Sequence, residues 1–199
     1  MIERDKKEIY AEYERRHTFW SEKSLSQLGY SLNLLFTINL AFLAYLITER
    51  KNYPSFYFDI HSKPELKLVF YFVLLLIVFI SLIAGASATI SRLYDLRITR
   101  SVVWVRKRTY KKYEVLLSDK YFDFSKENLL LIFLETVFCK IEFITDKDFD
   151  NLDILKPKFD RLRLQGKLLG QFTWETHKIH MAFILIASLI YSIATIFGW

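Results

Sequence analysis

Eight basic residues and a single acid, Asp95, occupy the stretch from Arg92 to Lys112, giving it a local charge of +7 in a chain whose total is +6. At about 100° per residue on a helix, Arg97, Arg100, Lys107 and Lys111 fall on one face, and Ile98, Val102, Val105 and Tyr113 on the opposite one. Arg92 and Arg108 flank the basic face, and Trp104, Tyr110 and Tyr113 are interleaved with it. Cations of this kind hold phosphates while aromatic and guanidinium planes stack on bases, so the chemistry on offer is recognition of an anionic nucleotide or short oligonucleotide. A plainer role uses the same charges, which keep a loop on the cytoplasmic side and touch anionic lipid headgroups. The bases persist about five helical turns past the preceding apolar run, farther than headgroups follow a helix leaving the membrane, and that favours a ligand.

Other chemistries lack their residues. With five glycines in the chain, neither GxGxxG nor a Walker loop is present, and no nucleophile–base pair or paired-carboxylate spacing is found. The lone Cys139 forms no internal disulfide and no CxxC pair. His177 and His180, three apart, would share a helix face, but two ligands without a third read as polar residues flanking a span before they read as a metal site. The acidic run Asp146, Asp148, Asp150, Asp153 resembles a calcium loop until its register is tried. An EF-hand starting at Asp146 needs glycine where Asn151 stands and glutamate where Pro157 stands, so a solvated loop is expected. No enzyme activity, metal or cofactor is expected.

The elements that must position the basic face are set by three uncharged apolar runs, Leu28–Ile47, Leu68–Ile90 and Met181–Trp199. Each approaches the roughly 20 residues a helix needs to cross a ~30 Å hydrocarbon core. The expected fold is therefore all-α: an integral membrane protein with three transmembrane helices and a helical cytoplasmic region. Its parts are an N-terminal helix over 1–25, a hairpin over 26–90, a cytoplasmic region over 91–178 and a third span over 179–199. Lys and Arg cluster before the first run and after the second, so the N-terminus and 91–178 are expected inside, and the 48–67 loop and Trp199 outside. Charged residues before the first run, with no cleavage site after it, argue against a removable signal peptide.

Between the runs, Tyr53, Pro54, Phe56, Tyr57, Phe58 and Pro64 predict a turn on the outer interface, and residues 118–125 predict another turn. The stretch Leu129–Thr145 carries Glu135, Lys140 and Glu142, a poor span. It reads as a largely buried helix in the cytoplasmic domain or at a subunit interface, or as a re-entrant segment. Gly166 and Gly170 are expected to break the basic segment 156–178 before the last span.

Polarity inside the runs is uncharged. Ser81, Gly85 and Thr89 repeat every four residues, as do Ser188 and Ser192, a spacing that lets helices approach closely. Asn33, Thr37 and Asn39 lie in the first run. Either they are packing glue, or an asparagine faces a water-filled axis; three spans cannot enclose a conduit alone, so a pore requires a homo-oligomer. Ionisable residues are missing from all three runs, which disfavours a proton- or ion-coupled transporter.

The charged helix ending "ERRHTFWSEK", the short outer loop, the second span closing in "AGASATISRLYDLR" and the cytoplasmic helix after it resemble the small SLATT-type membrane effectors of bacterial anti-phage defence. The resemblance covers about residues 1–115 and is one of layout; the third span departs from the usual two-span plan. It implies a pore in the bacterial inner membrane that damages the cell, regulated by a nucleotide from a partner nucleotidyltransferase. The reading of a different class is a non-conducting membrane adaptor that anchors or senses a cytoplasmic partner.

Overall fold

The computed structural model describes residues 6–52, 66–114, 117, 128–139 and 141–196, with side chains before Glu22 described only at Arg15, Thr18 and Phe19. Among the described residues the regular structure is entirely helical: α1 (Lys6–Glu49), α2 (Leu66–Tyr113), α3 (Leu129–Phe138) and α4 (Leu152–Ile196), with 3-10 turns at Arg50–Asn52 and Asp146–Asp150. The expected turns at 53–64 and 118–125 and Trp199 lie outside the described residues. Three helices, α1, α2 and α4, are long and apolar enough to cross a membrane.

Spacing of three and four residues explains how the long helices pack. α1 turns Leu28, Leu32, Asn39 and Leu46 inward; α2 buries Leu74, Val78, Ser81, Ala88 and Ser91, then Ile98, Val102 and Val105 in its basic half. This is the near-heptad period that lets helices wind around each other at a shallow angle. α2 runs antiparallel to α4, since Ser91 bonds the Leu169 carbonyl while Ser81 meets His180. α1 runs parallel to α4, as Ser31–His177 and Tyr45–Tyr191 show.

One apolar cluster, around Leu46, Leu74, Val78 and Ala187, joins the three helices at one end. A larger one gathers Ile98, Val102 and Val105 of α2 with Phe133, Phe149, Phe159, Leu162, Leu169 and Phe172 at the polar end. Gly166 and Gly170 do not interrupt α4. They lie against α2 instead, with a Cβ on Gly166 only 3.0 Å from the Ile98 Cγ2 methyl and one on Gly170 3.6 Å from Asp95. Tertiary packing thus overrides the weak helix propensity of glycine, whose missing side chain gives the two helices room.

α3 is shorter than the apolar stretch predicts. It starts under an Asn128 cap whose side chain accepts from the Leu130 and Leu131 amides, and it stops at Cys139 in extended backbone. Residues 141–145 are not helical. Ile141, Ile144 and Thr145 are β-branched, and Ile144 is buried in the polar-end core while Phe143 packs at its edge. Tertiary contacts thus compete with continuing the helix.

Asp148 ties this connection down. Its carboxylate accepts from the Thr145 amide (2.7 Å), the Thr145 hydroxyl (2.9 Å) and the Lys158 ammonium (2.6 Å). Lys158 first, and then the Thr145 amide, hold its pKa down to about 2. A depressed carboxylate contributes stability above its unfolded pKa, near 4, and loses it as pH falls through about 2. Asp148→Asn is expected to lower the thermal midpoint at pH 7, with the variant and the parent converging at the acid end of a pH series. Equal midpoints at neutral pH would show that the clamp adds nothing.

Candidate functional site

The basic half of α2 presents a stripe at alternating spacings of three and four: Arg97, Arg100, Trp104, Lys107 and Lys111 are all exposed. Its opposite edge is the buried row of Ile98, Val102 and Val105, which seats α2 against α4. α2 stays helical to Tyr113 and ends where Glu114 takes the left-handed φ of 56°. The bases therefore ride on one unbroken helix with the second apolar run.

An open groove of about 350 Å³ lies against this stripe, lined by Arg97, Arg100, Ser101, Trp104, Phe143 and Ile144. Two guanidinium groups and one indole face a space with no acid in its wall. The Arg97 guanidinium lies 4.9 Å from the Phe143 ring centre. Trp104 is held edge-on to Phe149 at 5.3 Å, with the Arg108 guanidinium 5.3 Å from its own ring centre. Among the described residues, no ion pair or hydrogen bond engages Arg100, Lys107 or Lys111. Planar guanidinium groups bind phosphate through two parallel hydrogen bonds, and an indole gives a base a stacking surface.

The remaining bases of the sequence-derived set have partners elsewhere. Arg92 donates to the Leu25 carbonyl of α1. Arg108 pairs with Asp146 and also lies 4.8 Å from the Phe149 ring centre. Sequence reasoning had no means of finding Phe143 and Ile144, since only the fold of 141–145 brings that segment beside Arg97 and Arg100.

The small and polar residues of the apolar runs separate into two groups. Ser81 and Gly85 form a notch on α2 that receives His180. The Ser81 hydroxyl meets the ring Nδ1 at 3.0 Å and donates to the His180 carbonyl at 3.0 Å, and the ring Nδ1 lies 2.7 Å from the Ser81 carbonyl. His177 reaches the other way, its Nε2 2.8 Å from the Ser31 hydroxyl of α1. Both histidines are buried, so they join the helices from inside the bundle. No metal-ligating cluster of three occurs among the described residues. Thr89, Ser188 and Ser192 instead bond carbonyls four residues back in their own helices.

On α1, Asn33 and Thr37 stand on the outer surface, with the Thr37 hydroxyl donating to the Asn33 carbonyl. Asn39 is 0 % exposed, and neither its amide nitrogen nor its oxygen has a hydrogen-bond partner. A buried polar group left unpaired costs about 1–3 kcal/mol, whereas an apolar group of similar shape is near neutral or stabilising. Asn39→Leu is therefore expected to raise the thermal midpoint in detergent by a few degrees. A fall would mean that the amide finds a partner in the folded protein. A lone asparagine at such a position trades stability for a unique helix register, so the stabilised variant is also expected to unfold less cooperatively.

No protein-family model, curated protein or solved structure matches this chain.

Proposed function

We propose that the chain is a multi-pass protein of the bacterial inner membrane that assembles with copies of itself into a ligand-regulated pore. The N-terminus and the basic half of α2 are cytoplasmic and the C-terminus is outside. The ligand is an anionic nucleotide or short oligonucleotide held by Arg97 and Arg100 and stacked on Trp104, with Lys107 and Lys111 extending the positive track. The output is the membrane-damaging conductance that the SLATT-like layout implies.

The observation that carries the reading is continuity. α2 runs without a break from Leu66 to Tyr113, so the groove residues and the apolar run are parts of one rod clamped along α4. A ligand that moves or braces the rod at Arg97 acts directly on its apolar half, provided it binds one arrangement better than the other. The exposed Asn33 amide is available to a neighbouring subunit or to water, whereas Asn39 is packed within the bundle.

Purified protein in a planar bilayer, with and without short oligonucleotides, tests the proposal. Discrete currents that change with the nucleotide support it. Currents indifferent to the nucleotide keep the pore and remove the ligand. Silence from demonstrably inserted protein leaves the adaptor reading.

A further inference from the structure

We infer that α3 is an interfacial helix whose outer face rests in the inner headgroup layer of the bilayer, so that the protein touches the membrane with a fourth helix lying beside its three long ones. This rests on the membrane reading above and adds a contact surface to it.

α3 is apolar except for Thr136 and the exposed Glu135, and only half of it is covered. Ile132, Phe133 and Thr136 are buried against the bundle, with Leu129 and Val137 beside them. The opposite side exposes Leu130, Leu131, Leu134 and Phe138, the last at 80 %. A contiguous exposed apolar face of this kind marks a contact with another protein or with a membrane.

Its height in the bundle names that environment. The Phe133 ring stacks on Phe172 of α4 at 4.5 Å and 19°. Phe172 lies one turn from Leu169, whose carbonyl is bonded by Ser91, the residue that follows the apolar run 68–90 of α2. α3 therefore sits where the apolar run gives way to the charged half. Exposed Leu25 of α1, Ile90 and Leu93 of α2 and Trp174 of α4 stand near the same height, together with the exposed Glu175–Lys178 pair of α4, a mixture of apolar and charged side chains that suits the headgroup layer. Leucine and phenylalanine on the uncovered side, with Glu135 at its edge, let α3 bury an apolar face at the boundary between headgroups and acyl chains while the carboxylate stays in water. A second copy of the chain is the weaker occupant, because four side chains of a ten-residue helix offer much less than the ~800 Å² per partner of a stable protein interface.

Depth-dependent quenching separates these possibilities in the full-length protein. In a Cys139→Ser background, Leu134→Cys and, separately, Leu76→Cys in α2 are labelled with the environment-sensitive fluorophore NBD. Each is reconstituted into phosphatidylcholine–phosphatidylglycerol vesicles carrying a doxyl group near the headgroup or near the chain end. Both positions are exposed on the monomer, so the label disturbs no core. The expected result is stronger quenching of position 134 by the shallow doxyl and of position 76 by the deep one. Quenching at 76 with none at 134 overturns the α3 assignment and leaves the spans intact. No quenching at either position overturns the membrane reading, and the interfacial helix with it.

Discussion

Gly85→Ala is expected to destabilise the protein, against the usual sign of that substitution. Alanine in a helix interior is favoured over glycine by about 1 kcal/mol. At Gly85, however, a Cβ would lie 2.9 Å from Cε1, 3.0 Å from Nδ1 and 3.1 Å from Nε2 of His180. The imidazole is fully buried and pinned at Ser81, so it has no room to retreat. Overpacking of this kind costs about 1–3 kcal/mol, which outweighs the propensity gain, and Gly85→Val adds a further methyl pair to the clash. At roughly 2–4 °C per kcal/mol for a chain of this size, thermal unfolding in detergent resolves the loss. Gly29→Ala is the matched control. Its Cβ would meet only the tip of Arg92, at 3.4 Å, and a flexible guanidinium gives way, so the midpoint holds or rises. Pairing Gly85→Ala with His180→Ala should recover part of the loss, because contacting residues couple in a double-mutant cycle. Additive losses would mean that the ring is not what Gly85 accommodates.

The helix-forming logic of the chain is legible from residue order alone in the long elements. The apolar runs at 28–47 and 68–90 lie inside helices, and the 3–4 spacing of Ile98, Val102 and Val105 marks the buried edge of α2. The basic face opposite follows from the same periodicity. What the order of residues cannot contain is the pairing of distant positions. Ser31 meets His177 across 146 residues, and Ser81 meets His180 across 99. A histidine near the end of an apolar run looks the same in sequence whether it faces water or a serine. Gly166 and Gly170 read as breaks because glycine usually weakens helices, and they turn out to be the close approach of α4 to α2. At 129–145 the periodicity extended past the true helix end, because an apolar run of mixed helix and strand formers does not declare where tertiary contacts cut it. The groove is half legible: Arg97, Arg100 and Trp104 are in the pattern, whereas its far wall, Phe143 and Ile144, depends on that cut.

Arg97→Glu with Arg100→Glu is expected to abolish the nucleotide response while leaving the fold and the basal conductance in place. Both side chains are exposed on α2, and neither contributes to the buried row that packs on α4. Arg97 loses only its approach to the Phe143 ring. A hydrogen bond to a charged group contributes about 1.5–3 kcal/mol, and each ~1.4 kcal/mol is tenfold in affinity. Losing two such contacts weakens binding by roughly 10²–10⁴-fold, and the new carboxylates repel the phosphates besides. The electrostatic signature is separate from the magnitude. For a single-stranded ligand each neutralised phosphate contributes about −0.7 to the slope of log affinity against log salt, so the double variant flattens that slope by about 1.4. Trp104→Ala should lose about 1–3 kcal/mol per stacked base and keep the salt slope, because stacking releases no counterions. Arg97→Lys retains the charge but not the planar fork, and is expected to fall between parent and Glu variant. Binding of a fluorescent short oligonucleotide, titrated across a salt series in nanodiscs, reads all three. If the double Glu variant bound as tightly as the parent, with an unchanged slope, the stripe would be a topological anchor that meets headgroups, and the regulator would have to act elsewhere on the chain.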